Sequence, residues 1–358
     1  MEGSRPFAEV VNCPSSTERS TALMFDDPVA ADGYHWWYLD ALSSDGCSGL
    51  TVIAFIGSVF SPYYARARRE GAASPVDHCA LNVALYAAGR SVASGASAPN
   101  RWAMTERGRA ALDRTATHLA IGPSRIEWDG TTLTVSVEEV TCPWPSRLRG
   151  TIRLRPDGLA RHTVELDAEG RHRWRPLAPS AHVELDFTEP GLRWTGHGYL
   201  DSNAGDEPLE AGFDSWHWSR AFVPRRGCGT SSGRDTIVLY DVTRRGGGDM
   251  AFALRYDNAG VAHELVPPPR VALPHTGWRI PRATRADAGV APSDRVRVLR
   301  TLENTPFYAR SLLQTRWKGE TVQAMHESLS LNRFRTAWVR TLLPFRMPRR
   351  ARWDRPRD

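Results

Sequence analysis

Lysine is almost missing from this chain. Lys318 is the single lysine among 46 basic residues, so arginine carries the net charge of +6. No RNP, zinc-finger or helix-turn-helix pattern accompanies those arginines, so nucleic acid is not an expected partner. Cysteine is sparse too: Cys13, Cys47, Cys79, Cys142 and Cys228. Their odd number, wide spacing and lack of any CxxC pair argue against a disulfide framework or a zinc site. Free thiols in a reducing compartment are expected instead. The first residues, MEGSRPFAEVVNCPSSTERS, show no basic segment followed by an apolar one, so no secretory signal is expected. No run approaches the ~18–20 apolar residues of a membrane span. The expected protein is therefore soluble or lies on a membrane surface. Helix-period segments are scarce before residue 325, and no nucleotide or metal signature is present.

What the chain does have suits a turn-rich β protein. It has 358 residues, 41% of them hydrophobic, with Gly 29 and Pro 25. That length is enough for two domains of ordinary size. Residues 1–24 read as a flexible leader, with order beginning near Phe25. GYHWWYLDALSSDGCSGLTVIAFIGSVFSPYY reads as a hairpin on a Ser-Asp-Gly turn. Trp36, Trp37 and Tyr38 lie on its first strand, with Phe60, Tyr63 and Tyr64 after the second. Such ring density fits either a barrel core or the lining for a long apolar ligand. DHCALNVALY alternates as a strand. RIEWDGTTLTVSVEEV is a hairpin about Asp129-Gly130. Glu138 and Glu139 are adjacent, so in a strand they point to opposite faces and are read as structural. A further hairpin is expected about Pro156-Asp157-Gly158. Its arginines, Arg147, Arg149, Arg153 and Arg155, form a solvated outer face.

Residues 172–201 carry the sharpest signal. His172 and Trp174 are two apart, and so are Tyr199 and Asp201. In extended chain that spacing puts both members of a pair on one face. An imidazole, an indole, a phenol and a carboxyl group could thus meet in one cavity. A carboxylic acid among aromatic faces suits chemistry through a carbocation: the acid protonates an alkene and the ring quadrupoles stabilise the cation. The plainer alternative makes the rings core and the Asp a turn residue. Pro176 and Pro179 mark a natural passage between two β domains, which sets expected units at 25–177 and 178–347. Farther on, Trp216 and Trp218 share a face that His217 does not. Tyr240 sits in the buried strand DTIVLYDV. At the end, Trp338, Leu342, Leu343, Phe345 and Met347 alternate with arginines and suggest an interfacial anchor attracted to anionic lipid; 348–358 form a basic tail.

GYHWWYLDAL, GLTVIAFIGSVFSPYYARARR, DHCALNVALY, RWAMTERGR, RHRWRPLAPSAHVEL, GHGYLDSNAGDEPLE, SWHWSRA, HESLSLNRF and LPFRMPR together resemble the acyclic carotenoid 1,2-hydratases, also called hydroxyneurosporene synthases. The resemblance runs from about Gly33 to about Pro348. It implies an all-β fold of two tandem lipocalin-like domains and no redox cofactor or metal. It implies water addition to the terminal 1,2 double bond of acyclic carotenoids such as neurosporene and lycopene, in the spheroidene and spirilloxanthin pathways of phototrophic bacteria. Motif for motif, it places the catalytic residues on His172, Trp174, Tyr199 and Asp201.

The expected mechanism has neutral Asp201 protonating C2, a tertiary cation at C1 faced by Trp174 and Tyr199, and attack by water. His172 would hold the water, accept its proton or hydrogen-bond Asp201. Trp216, His217, Trp218, Tyr240 and Trp37 are the expected substrate-binding residues. Expected partners are the carotenoid, water and, peripherally, membrane lipid. The expected location is cytoplasmic, on the face of the inner or intracytoplasmic membrane. The alternatives are a non-catalytic carotenoid or lipid carrier, a terpenoid cyclase, and glycan binding or hydrolysis.

Overall fold

The computed structural model describes residues 23–87, 100–225, 233–288 and 295–350. The expected leader and tail fall almost wholly outside them, as do Cys13 and Cys228.

The first sheet among the described residues has 12 strands. They are β1 (Tyr34–Ser43), β2 (Gly49–Ile56), β3 (Cys79–Tyr86), β4 (Arg101–Arg107), β5 (Leu112–Arg114), β6 (His118–Ile121), β7 (Ser124–Trp128), β8 (Leu133–Val140), β9 (Arg147–Pro156), β10 (Val164–Glu165), β11 (His172–Glu189) and β12 (Leu192–Gly205). Their spatial order is β4-β3-β2-β1-β12-β11-β9-β8-β7-β6-β5, with β10 on β11. The next strands are β13 (Phe213–Pro224), β14 (Arg234–Arg244), β15 (Asp249–Tyr256), β16 (Ala262–Leu265), β17 (Arg270–Leu273), β18 (Arg282–Arg285), β19 (Val296–Asn304), β20 (Tyr308–Trp317) and β21 (Glu320–Ser330). Seven of them form the second sheet, in the order β16-β15-β14-β13-β21-β20-β19, while β17 and β18 pair with each other. The expected all-β class is the observed one.

Side-chain alternation explains how the sheets stack. On β1, Trp37, Leu39 and Ala41 enter one core with Leu119, Ile126, Leu133 and Val135 from β6, β7 and β8. The first sheet therefore curls until its distant strands share an interior. Tyr34, Trp36 and Tyr38, in the opposite phase, enter a second core with Trp216, Trp218 and Tyr240 of the second sheet. A third core lies on the far face of the second sheet, around Ala221, Ile237, Leu313 and Leu273. Strand β1 is thus buried on both faces, which accounts for rings and aliphatics occurring in both of its phases.

Three expectations need revision. The Pro176–Pro179 segment is not a passage between domains but part of β11. Proline cannot donate to a ladder, and the register shifts between Pro176 and Ala178 and again between Ala178 and Ala181. The boundary at 177/178 would cut this strand; the chain leaves the first sheet only after Gly205. No hairpin forms about Pro156-Asp157-Gly158, because β9 pairs with β8 and β11. Finally, Pro62–Glu70 is a helix. Its start is capped by the Ser61 side chain, which accepts from the backbone N–H of Tyr63 and Tyr64, with proline at the first position.

Candidate active site

The site lies between the two sheets, built from two facing rows. In the first sheet, Pro176 on β11, Asp201 on β12, Tyr38 on β1, Ile53 on β2, Asn82 on β3 and Met104 on β4 are successive cross-strand neighbours. In the second, the row is Tyr240 on β14, Trp218 on β13, Glu327 on β21 and Arg310 on β20. Asp201, Glu327 and Arg310 are the charged members of these rows, in a phase that rings and aliphatics such as Tyr38, Ile53, Met104, Trp218 and Tyr240 otherwise hold.

Asp201 is 4% exposed. Its Oδ2 accepts from Trp174 Nε1 at 2.8 Å and from the Tyr199 hydroxyl at 2.9 Å. Its Oδ1 is buried without a hydrogen-bond partner. Burial pushes the carboxyl pKa up to about 8; the Trp174 and Tyr199 bonds pull it down, and the Glu327 and Asp40 carboxylates raise it again. Among the described residues the arginines on the adjacent strands are engaged with other carboxylates. Arg220 pairs with Asp40 across the sheets. Arg310 pairs with Glu303 and, at 2.6 Å, with Glu327.

Beside Asp201 is a chamber of about 30 Å³ lined by Trp36, Tyr38, Asn203, Trp216, Trp218, Tyr240 and Glu327. It adjoins a cavity of about 360 Å³, with which it shares Trp36, Tyr38, Trp216 and Glu327. That cavity is chiefly apolar and aromatic, including Phe55, Phe60, Trp102, Met104 and Phe307, and it extends to Trp278, Leu342 and Phe345 at the surface.

The expected site residues divide into three groups. Asp201, Trp174 and Tyr199 meet in one hydrogen-bonded cluster, and Trp216, Trp218 and Tyr240 face the chamber. His172 stands apart. Its register partner on β12 is Gly205, four residues beyond Asp201, or ~13 Å along the strand. The imidazole contacts the Tyr34 hydroxyl at 2.9 Å and Glu207 at 3.1 Å, and its backbone N–H donates to Asp167. Burial lowers its pKa, partly offset by the Glu207 bond. Tyr34 stacks on Trp36 at 4.8 Å, and Phe213 lies between the imidazole and Trp216, so rings intervene between His172 and the chamber. Trp37 and His217 are placed away from the chamber altogether. Trp37 faces the interior of the first sheet against Phe25. His217 lies on the other face of β13, where its Nδ1 contacts Ser328 at 2.8 Å.

Trp174 and Tyr199, expected to face a cation, both donate to Asp201 Oδ2. The rings over the chamber are Trp36, Tyr38, Trp216, Trp218 and Tyr240. Glu327, Arg310 and Asn203, the last on β12, were not among the expected site residues. A signal for Glu327 was present: in Met325-His-Glu-Ser-Leu329 the carboxylate occurs in phase with the apolar residues.

Comparison with known proteins agrees with the early resemblance. The family model for the carotenoid hydratase CrtC matches residues 52–356. The acyclic carotenoid 1,2-hydratase of Thiocapsa roseopersicina is 52% identical over 95% of this chain and 78% of its own length. That of Rubrivivax gelatinosus is 47% identical over 92% and 77%. The Cereibacter sphaeroides hydratase is 39% identical over 85% of this chain and 99% of its own. In fold, an AttH-like protein from Nitrosomonas europaea superposes with a TM-score of 0.50 at 14% identity, covering 88% of this chain and 99% of that one. The chain is a hydratase, a hydro-lyase belonging to the carotenoid hydratase family.

Proposed function

We propose that this hydratase adds water across the terminal C1=C2 bond of acyclic carotenoids such as neurosporene and lycopene, giving 1-hydroxy-1,2-dihydro products. The observation that carries the reading is the buried Asp201 carboxyl. One of its oxygens is held by two donors and the other is unpartnered, beside a ring-lined chamber that adjoins an apolar cavity. An ordinary aspartate titrates near ~3.9 and would have no proton to give at neutral pH. With its pKa at about 8, Asp201 keeps one. The proton passes from Asp201 to C2, leaving a tertiary cation at C1. Each ring face over the chamber stabilises that cation by on the order of 0.5–2 kcal/mol. Water then closes the C1–O bond. His172 acts as a positioning residue, holding Tyr34 and through it Trp36. The large cavity takes the end of the polyene, and its open side lets the rest extend outward.

Incubation with several acyclic carotenoids tests this. The product gains the mass of one water. Unchanged carotenoid would mark a carrier, and a product of unchanged mass a cyclase.

The cavity mouth also supports peripheral contact with a membrane. Trp278 (42% exposed), Trp338 (46%), Leu342 (39%) and Phe345 (70%) cluster there, and Trp278 stacks on Trp338. Between Leu331 and Arg350 there are six arginines and no acidic residue, a charge complementary to anionic lipid. Trp338→Ser should sharply reduce cosedimentation with anionic vesicles while preserving turnover of detergent-dispersed substrate. Undiminished vesicle binding would remove this assignment.

A further inference from the structure

We propose that Glu327 is a second catalytic carboxylate: it holds the attacking water together with Asn203 and Trp218, and takes that water's proton. The inference rests on the hydration reading above. Three buried polar atoms on the residues lining the chamber lack a hydrogen-bond partner: Asp201 Oδ1, Asn203 Oδ1 and Trp218 Nε1. A buried water needs two to four polar partners and room for about one probe sphere. The chamber offers about 30 Å³. The Trp218 N–H donates to the water oxygen, and Asn203 Oδ1 accepts one of its hydrogens. The second hydrogen goes to Glu327, whose side chain lines the same chamber.

Glu327 is equipped for that task where Asp201 is not. Arg310 donates to Glu327 Oε1 from Nε at 3.0 Å and from Nη2 at 2.6 Å. Both bonds land on one oxygen, which leaves Oε2 for a further donor. Arg310 is itself fixed by Glu303 and by the Tyr86 hydroxyl at 2.6 Å. The two carboxyl groups thus face one chamber in unlike settings, one ion-paired and the other among rings without a cation. Such divergence separates the roles of acid and base.

The atoms balance without a co-reactant. The alkene π pair forms the C2–H bond with the Asp201 proton, leaving Asp201 ionised and C1 cationic. A water lone pair forms the C1–O bond, and a water proton moves to Glu327. Return of that proton to Asp201, directly or through solvent, restores both groups. Because the cation forms before the base acts, the two steps can be separated.

The test is Glu327→Gln, which keeps an oxygen for Arg310 but cannot accept a proton, assayed in deuterium oxide with lycopene or neurosporene. The hydrate should fall by about 10²-fold or more, the usual weight of a positioned acid–base group. Deuterium should still enter the recovered alkene at C2, because Asp201 can protonate and the cation can revert. Glu327→Asp, which restores a carboxylate, should recover part of the hydration. Hydrate formed at the wild-type rate would overturn the proposal. So would loss of exchange together with hydration in a variant with wild-type melting behaviour, since that places Glu327 before the cation. Wild-type enzyme that neither hydrates nor exchanges would instead remove the hydration reading itself.

Discussion

Asp201→Asn is expected to lower hydration by about 10³-fold or more, at the upper end of what a positioned general acid contributes. The amide is nearly isosteric. Its oxygen can still accept from Trp174 and Tyr199, which hold Oδ2 at 2.8 and 2.9 Å. The chamber keeps its shape and loses only the acidic proton. Turnover of lycopene or neurosporene, measured as hydrate formed, checks this; wild-type turnover would end the role assigned to Asp201.

The same variant has an opposite effect on stability. In the unfolded chain Asp201 titrates near ~3.9; in the fold its pKa is about 8. The folded pKa is the higher one, so the fold favours the protonated form. The stability linked to that proton is fully present below pH ~4. It declines as pH rises toward 8 and is exhausted above that, by up to ~1.4 kcal/mol per pH unit. Asp201→Asn carries no such burden. It should melt close to the wild type near pH 4 and above it near pH 8. Loss of activity with a gain in alkaline stability separates a chemical role from a structural one.

Arg220→Ala is expected to destabilise the protein by about 3–5 kcal/mol, the cost of stranding one member of a buried ion pair. Asp40 on β1 is fully buried, and Arg220 on β13 is 2% exposed. The guanidinium Nη2 meets Asp40 Oδ1, its Nε donates to Oδ2 at 3.3 Å, and the Tyr38 hydroxyl donates to the same Oδ2 at 3.0 Å. This pair ties the first sheet to the second beside the chamber. Removing the arginine leaves a carboxylate among rings and an aliphatic core. Denaturant unfolding measures the loss. Pairing Arg220→Met with Asp40→Leu, which removes both charges, should recover much of it. If the double variant were no more stable than Arg220→Ala, the damage would come from lost packing and not from an unpaired charge.

How far these features were legible from residues alone follows from what period two can encode. Spacing put Trp174 with His172, and Tyr199 with Asp201, on common faces. The strands honour that, but register decides which pairs meet. The ladder sets Trp174 opposite Asn203 and His172 opposite Gly205, so the indole reaches Asp201 and the imidazole does not. Trp37 went astray for a related reason. When both faces of β1 are buried, large aromatic and aliphatic residues occur on both, and alternation no longer says which side faces the ligand. His217 shows the reverse case. Between two tryptophans its phase was readable, and the structure leaves it on the opposite face. The Asp40–Arg220 pair, and the meeting of Asp201 and Glu327 at one chamber, join elements distant in the chain, and no local pattern records them. Pro62–Glu70 could have been read as a helix from Ser61-Pro62, had its aromatic neighbours not suggested strand.

The central claim is that Asp201 is a neutral carboxylic acid at working pH. Its side-chain carboxyl carbon, labelled with carbon-13 and identified by subtracting the Asp201→Asn spectrum, can be titrated by NMR in the intact protein. The account predicts a protonated signal through neutral pH and a midpoint near 8. A midpoint near ~4, where ordinary aspartates ionise, would contradict it.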